Sequence, residues 1–361
     1  MSKNMMSKNM MSKSRTSVSR RGFLRNAVKG SAAAAAAACT TVVAAPPEAN
    51  ALVRPPKPLP PDAVGLLYDS TLCIGCKACV TACKEVNHMP PDVGPAQQGW
   101  NAGGGDTPIY DSPVELSAKT LNVIKAYSHG TGATKDAAEN GFAFIKRQCL
   151  HCADPSCVSV CPVSAMTKDA KTGIVNHDPS ACIGCRYCVL SCPFGVPKYD
   201  YNDAFGEIKK CQLCKQQLAK NELPGCADVC PTGATLFGRT EDLKAEAKRR
   251  TALTVGEYTH YPRGDIAGKV GGPRSGHEKL VEAAYQTHIY GEKELGGTQC
   301  LAVSAVPFDK LNLPTNVPEN GYPTLSEGIQ HTLYAGMIAP ATVFAGLAYL
   351  AHRNTKNHTD E

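Results

Sequence analysis

Sixteen of the eighteen cysteines in this chain fall into four closely spaced groups. Thiolates are soft ligands, and cysteines at this density bind zinc, hold iron–sulfur clusters or form disulfides. In chain order the groups are Cys73, Cys76, Cys79 and Cys83; Cys149, Cys152, Cys157 and Cys161; Cys182, Cys185, Cys188 and Cys192; and Cys211, Cys214, Cys226 and Cys230. The chemistry of this protein is therefore sought first in its thiols.

The spacing within the groups favours iron–sulfur clusters. Every group begins with C-x2-C and ends with C-x3-C, and two of them read C-x2-C-x2-C-x3-C. Three thiolates in so short a loop can wrap one [4Fe–4S] cubane, and in two-cluster ferredoxins the fourth cysteine ligates the other cluster of the pair. Gly75 and Gly184 lie where the backbone must pass close to a cluster. The groups thus predict four [4Fe–4S] clusters.

Other chemistries for these cysteines are less compatible with the spacing. Disulfides occur in exported chains, but four such groups are not a usual bridge pattern. Zinc sites use two separated C-x2-C pairs, so a zinc-structured interaction protein is the alternative that metal analysis would reveal. An enzyme working directly at a cluster needs an open iron site, whereas each group supplies four thiols. With no acid–base pair or nucleophile at triad-like spacing, the sequence predicts an electron carrier that is not an enzyme by itself.

An internal repeat indicates how the elements around the cysteines are organised. Residues 68–76 match residues 177–185, each with Asp four residues before C-I-G-C. This predicts an α+β fold with two ferredoxin-like double-cluster lobes within residues 63–245. Short strands are expected at 66–68, 142–145 and 173–175, and short helices after the last cysteine of each group.

Three further segments lie within or beyond these lobes. Residues 86–141, rich in Gly and Pro, form an insertion that covers the first cluster, meets a partner or is a plain surface loop. Residues 241–250 predict a surface helix with acidic residues first and basic residues last, which suits the helix dipole. Residues 246–332 lack clear periodicity and are expected to pack on the cluster domain. Cys300, alone in this extension, is predicted to be a buried thiol without a cluster.

The N-terminal 51 residues are predicted to be an export signal. Residues 19–25 (Ser-Arg-Arg-Gly-Phe-Leu-Arg) look like a twin-arginine motif, and an Ala-rich apolar stretch with small-residue cleavage sites follows. A repeat of Met-Ser-Lys precedes the motif and leaves the start site open, and Cys39 belongs to this segment. Twin-arginine export carries folded proteins, so a cofactor can be inserted before export. Residues 52–62 read as a Pro-rich linker.

The C-terminal region predicts a membrane anchor. Residues 333–351 contain no charged side chain, and as a helix they would span about 28 Å, close to the thickness of a bilayer core. Basic residues in the tail 352–361 place that tail in the cytoplasm by the positive-inside rule. A buried or interfacial helix is the alternative. The net charge of +6 is too small to indicate a nucleic-acid partner.

Several stretches beyond the spacing resemble the four-cluster ferredoxin-type iron–sulfur subunits of membrane-bound oxidoreductases. They are residues 140–146, 188–201, 288–299, 330–334 and 353–357. The last three lie outside the cluster motifs, so the resemblance extends over nearly all of the mature chain. It departs from the family only in its long N-terminal repeat and Ala-rich signal.

The resemblance implies that the groups interleave, the first with the fourth and the second with the third. The implied ligand sets are Cys73, Cys76, Cys79 and Cys230; Cys211, Cys214, Cys226 and Cys83; Cys149, Cys152, Cys157 and Cys192; and Cys182, Cys185, Cys188 and Cys161. We call them sets one to four in this order. The two interleaved lobes would each hold two clusters.

The resemblance also implies a role and partners. The chain would relay electrons from the small and large subunits of a periplasmic nickel–iron hydrogenase to an integral membrane subunit that reacts with quinone. It would lie on the periplasmic face of the inner membrane. The alternative partner is a formate dehydrogenase or another molybdopterin oxidoreductase.

Overall fold

The regular elements of the cysteine-rich region are short, because the chain turns around a cysteine loop every few residues. The computed structural model describes residues 53–90, 115–203 and 206–356. The predicted signal segment with Cys39, and residues 91–114 of the insertion, lie outside these ranges. The strands are β1 (Val64–Asp69), β2 (Val123–Ser128), β3 (Thr134–Lys135), β4 (Gly141–Arg147), β5 (Met166–Lys168), β6 (Val175–His177), β7 (Lys198–Tyr199), β8 (Ile208–Lys209), β9 (Thr235–Arg239), β10 (Tyr258–Tyr261), β11 (His277–Leu280) and β12 (Cys300–Val303). The helices are α1 (Ala78–Val86), α2 (Ser156–Ser159), α3 (Tyr187–Ser191), α4 (Lys215–Leu218), α5 (Gly225–Asp228), α6 (Thr240–Thr251) and α7 (Tyr322–Lys356), with a 3₁₀ turn at Glu294–Gly296.

Strand β1 is the centre of a three-stranded sheet of order β12–β1–β9. It pairs antiparallel with β9 and parallel with β12. Because the strand is covered on both faces, its run Leu66-Leu67-Tyr68 is buried throughout instead of alternating. Leu243 and Ala247 of α6 pack against one face of this sheet. The predicted strand at 66–68 is confirmed.

The C-terminal extension is built into this sheet. It supplies β12, and α6 crosses the boundary drawn at residue 245. Cys300 lies in β12 and is 2% exposed, which confirms the prediction of a buried thiol. The extension therefore helps to form the core that positions the first cysteine loop.

A second sheet, of order β2–β4–β3, contains the predicted strand at 142–145. Its residues Phe144 and Ile145 are buried, and Tyr68 of β1 donates a hydrogen bond to the carbonyl oxygen of Phe144 at 3.0 Å. Residues 115–141 of the insertion supply β2 and β3, and Asn122 donates to the carbonyl oxygen of Cys79 at 3.2 Å. The described part of the insertion thus packs against the first cysteine loop.

Three local predictions need correction. The short helices do not follow the final cysteine of each group: α2, α3 and α5 end before it and α1 contains it, because the Pro-containing segments after three of these cysteines lead into strands instead. The third strand is β6 and begins at Val175, since Gly173 turns with φ 70°. The helix at 241–250 exists as α6, but Leu243, Ala247 and Arg250 make one face fully buried.

Helix α7 leaves the cluster region after its first turns. Thr324 is buried, whereas the side chains from Ile329 onward that are described are exposed. Arg54 ties this start to the domain with ion pairs to Glu327 at 2.6 Å and to Asp154 at 2.7 Å. Within the described ranges, α7 is the one helix long and apolar enough to cross a membrane, and it includes the segment predicted at 333–351.

Candidate metal centres

The two C-I-G-C-x-x-C loops have the same backbone shape. Gly75 and Gly184 take left-handed conformations with φ of 70° and 69°, and Lys77 and Arg186 do so two residues later, with φ of 58° and 64°. In each loop the next residue begins a helix, α1 or α3. The repeat seen in the sequence is therefore a repeat of loop geometry.

An aspartate fixes the approach to each of these loops. The N–H and hydroxyl of Thr71 donate to Asp69 Oδ1 at 2.9 and 2.7 Å. The N–H and hydroxyl of Ser180 donate to Asp178 Oδ1 at 2.9 and 2.6 Å. Side-chain turns of this kind stabilise a tight chain reversal, which brings the first cysteine of each group into place.

Only the first of these aspartates is locked into the core. Asp69 Oδ2 accepts hydrogen bonds from Arg250 Nη1 at 2.9 Å and from the Tyr285 hydroxyl at 2.8 Å. Arg250 also donates to Glu246 at 2.8 Å, and both Arg250 and Asp69 are 0% exposed. Asp178 is exposed. The extension thus clamps the first loop and leaves the second without such a clamp.

The exposure of the thiols follows the same division. Six of the eight cysteines of the first and fourth groups are buried, whereas in the second and third groups only Cys149 and Cys188 are. Cys185 is exposed. The first lobe therefore lies within the core and the second reaches the surface.

In the first lobe, thiols from the first and fourth groups are electrostatic neighbours. Burial raises the pKa of Cys73 to about 11, and the nearby sulfur of Cys230 adds to the effect. Burial likewise raises the pKa of Cys83 to about 12, with Cys226 as the strongest neighbouring sulfur. Each fourth cysteine therefore lies beside thiols of the other group.

The second lobe shows the same exchange. Burial raises the pKa of Cys157 to about 12, and Cys149 and Cys192 act on it in the same direction. Burial raises the pKa of Cys188 to about 11, with Cys161 among its neighbours. These relations join Cys73, Cys76, Cys79 and Cys230; Cys83, Cys211, Cys214 and Cys226; Cys149, Cys152, Cys157 and Cys192; and Cys161, Cys182, Cys185 and Cys188. The neighbours are grouped like sets one to four, and the ligation itself stays a prediction.

Three electrostatic relations between sulfurs of different sets indicate that the sets lie in a row. The sulfurs of Cys79 and Cys226 link set one to set two. Cys211 has Cys149 as a neighbour, which links set two to set three, and Cys157 has Cys188 as a neighbour, which links set three to set four. The spatial order is therefore one, two, three, four.

The surroundings of the thiols fit an iron–sulfur core. Backbone N–H groups point at sulfurs, with Gly75 N and Leu213 N each 3.4 Å from the Sγ of Cys73 and Cys211, and such bonds tune cluster potentials. The four cysteines of set one line one common cavity. Burial raises the pKa of Cys73, Cys83, Cys157 and Cys188, and bound iron would supply the positive charge that stabilises their thiolates.

The spacing of the thiols does not suit a single small ion. In the described ranges, no three Cys, His, Asp or Glu side chains converge closely enough to hold one metal ion. Zinc would draw its thiolates to about 2.3 Å from one centre. Within the described ranges, the thiols therefore do not outline a preformed zinc site.

Sequence reasoning missed the buried lysines beside the thiols. Lys146 and Lys210 are 6% and 3% exposed, although lysine is among the residues least often buried. Lys210 donates to the carbonyl oxygen of Cys211 at 3.0 Å. For Lys146 a signal existed, because it shares the buried face of β4 with Phe144 by the period-two rule.

Comparison with known proteins agrees with this chemistry. The profile of the 4Fe-4S dicluster domain matches residues 141–240. The chain is 49% identical over 307 residues to the hydrogenase-2 operon protein HybA of Escherichia coli O157:H7, which covers 83% of this chain and 88% of that protein. It is 37% identical over 270 residues to the formate dehydrogenase-O iron-sulfur subunit of Escherichia coli K12, covering 74% and 75%. It is 33% identical over 192 residues to the formate dehydrogenase iron-sulfur subunit of Haemophilus influenzae, covering 52% and 55%.

Proposed function

Because the chain belongs to the HybA family of ferredoxin-type iron–sulfur electron-transfer subunits, we propose that it relays electrons from a periplasmic nickel–iron hydrogenase to a quinone-linked membrane protein. Four [4Fe–4S] clusters, when bound, supply reversible one-electron transfer. The observation that carries the proposal is the row of four neighbouring thiol sets. The protein's own contribution is to hold these sites in order, bury most of their ligands and aim backbone N–H groups at sulfurs.

The proposed location follows from the two ends of the chain. The twin-arginine segment would export the folded, cluster-loaded protein, and α7 would anchor it with the tail in the cytoplasm. Support comes from the apolar stretch of α7 and from its exposed side chains beyond Ile329. The domain would then lie directly on the periplasmic face of the membrane.

Metal analysis tests the relay. We expect protein purified from membranes to contain about sixteen iron and sixteen acid-labile sulfide per chain, since each cubane holds four of each, and to show reducible cluster signals in EPR. The catalytic subunit of a nickel–iron hydrogenase should co-purify. Iron well below sixteen without such signals would contradict the relay, and zinc without sulfide would indicate the zinc-structured alternative.

A formate dehydrogenase or other molybdopterin enzyme is the second candidate partner. The 37% identity to the formate dehydrogenase-O iron-sulfur subunit favours keeping it. If the purified complex contained the catalytic subunit of such an enzyme and no hydrogenase subunits, the proposed electron donor would change. The proposed relay of electrons through the clusters would stand.

Four exposed apolar residues, which we call the collar, lie in or beside the segment that carries three of the set-four cysteines. It consists of Ile183, Tyr187, Leu190 and Tyr201, and Leu190 is 83% exposed. Arg186 holds the Tyr201 ring, with its guanidinium carbon 5.3 Å from the ring centre. Exposed apolar patches of this kind mark interaction sites.

The position of the collar favours the membrane partner as its occupant. Helix α3, which carries Tyr187 and Leu190, packs on α2, and α2 packs on the start of α7. The helix leaves the domain near Gly328 and Leu333 begins the apolar stretch, so about 8 Å of helix separates them. The collar is therefore within reach of an integral membrane protein beside α7.

A charge placed in the collar should uncouple the two proteins. For Leu190→Asp we expect unchanged iron content but at least a tenfold loss of quinone reduction, together with loss of the membrane partner on purification, because a charge in an apolar contact must be desolvated. The control Val255→Asp changes a half-exposed apolar residue outside the collar. Equal quinone reduction in both variants would exclude the collar as the docking surface.

A further inference from the structure

Lys146 is a buried lysine with an unusual set of neighbours. It lies in β4 opposite Ile124, and its side chain is 6% exposed. Its ammonium group donates to the hydroxyl of Thr235 at 3.3 Å. In the described ranges no carboxylate forms an ion pair with it, and the groups that act on it most strongly are sulfurs.

Two largely shielded arginines are balanced by carboxylates. Arg250 lies between Asp69 and Glu246, and Arg54 binds Asp154. A buried charge without a counter-charge is costly. The charge of Lys146 therefore requires an anionic neighbour of another kind.

The sulfurs around Lys146 come from two different sets. Cys79 and Cys230 belong to set one, and Cys226 belongs to set two. Thr235, which accepts the hydrogen bond from Lys146, lines the same cavity as the four cysteines of set one, and Cys226 of set two is the sulfur that acts most strongly on Lys146. Lys146 thus lies at the junction between two neighbouring candidate clusters.

We propose that Lys146 is the shared counter-charge of the set-one and set-two clusters and holds both of their reduction potentials up. The proposal rests on the proposed function, since it requires clusters in both sets. A cubane with its four thiolates is anionic and gains one negative charge on reduction. A fixed positive charge nearby stabilises the reduced form more than the oxidised form, so it raises the potential. One ammonium at the junction acts on two sites at once.

Redox titration of the membrane-extracted protein by EPR tests this role. In Lys146→Met we expect two of the four midpoint potentials to fall by at least about 59 mV, which corresponds to a tenfold change in the equilibrium constant of a one-electron reduction. The other two potentials should not move. Lys146→Arg, which keeps the charge, should restore the two potentials, and Lys171→Met, which removes an exposed lysine, should change none.

Each outcome has a distinct meaning. If Lys146→Met does not fold, Lys146→Gln supplies a neutral side chain that can still bond Thr235, and the same two potentials should fall. Four intact clusters with unchanged potentials would overturn the inference and leave the relay standing. An equal shift of all four potentials would do the same, and so would a Lys146→Arg variant whose two potentials fall as in Lys146→Met. Too little iron in the unmodified protein would instead overturn the proposed function.

Discussion

Replacing Cys149 and Cys192 together should remove the same four iron atoms as replacing either cysteine alone. Both belong to set three, although they come from different sequence groups. We expect about twelve iron per chain in Cys149→Ala, in Cys192→Ala and in the double variant, because a cubane that has lost one ligand has already been lost from its set. Iron and acid-labile sulfide analysis of the purified variants measures how many clusters each has lost.

The matched control pairs cysteines from different sets. In the double variant of Cys149→Ala and Cys188→Ala, sets three and four each lose a ligand, so about eight iron should remain. If each sequence group instead bound its own cluster, the Cys149 and Cys192 double variant would also fall to about eight. That result would refute the interleaved pairing while leaving four clusters in the unmodified protein.

Replacing Arg250 by Met should lower the free energy of unfolding by about 3–5 kcal/mol, the range for a broken buried ion pair. Asp69 and Glu246 would then lack their shared partner within the core. Because Asp69 also fixes Thr71, the first cysteine loop should loosen with it. Urea unfolding of the holoprotein in detergent, followed by circular dichroism, gives the value.

Arg249 provides the control on the same helix. It also binds Glu246, at 2.7 Å, but its side chain is 38% exposed. Solvent screens such a pair, so Arg249→Met should cost only about 0–1 kcal/mol. Equal losses in the two variants would show that the buried position of Arg250 carries no special weight.

The sequence was most informative where structure depends on neighbours in the chain. The spacing of the cysteines located the loops, and the apolar runs at 66–68 and 142–145 located β1 and β4. The charge order of residues 241–250 located α6. Each of these patterns is local, so a single stretch of sequence contains all the information it needs.

Features formed by distant contacts could not be predicted in the same way. In the sequence, Arg250 is one of three basic residues at a helix end. Its burial depends on an ion pair with Asp69, which is far away in the sequence. The pairing of β12 with β1 has no local signal either, because its four residues resemble many short apolar runs. The helices were misplaced because the fourth cysteine lies beyond the helix end in three groups and inside α1 in the first, a detail that spacing alone does not reveal.

The parallel pairing of β1 with β12 has a consequence for biosynthesis. β1 leaves the ribosome early, but its partner strand spans residues 300–303 and follows all sixteen grouped cysteines. Contacts this distant in sequence form late and slowly. The central sheet can close only on a nearly complete chain, so a prematurely terminated product keeps an open strand edge. Proteases and chaperones recognise such an exposed edge. Incomplete chains that lack β12 should therefore be removed before they assemble.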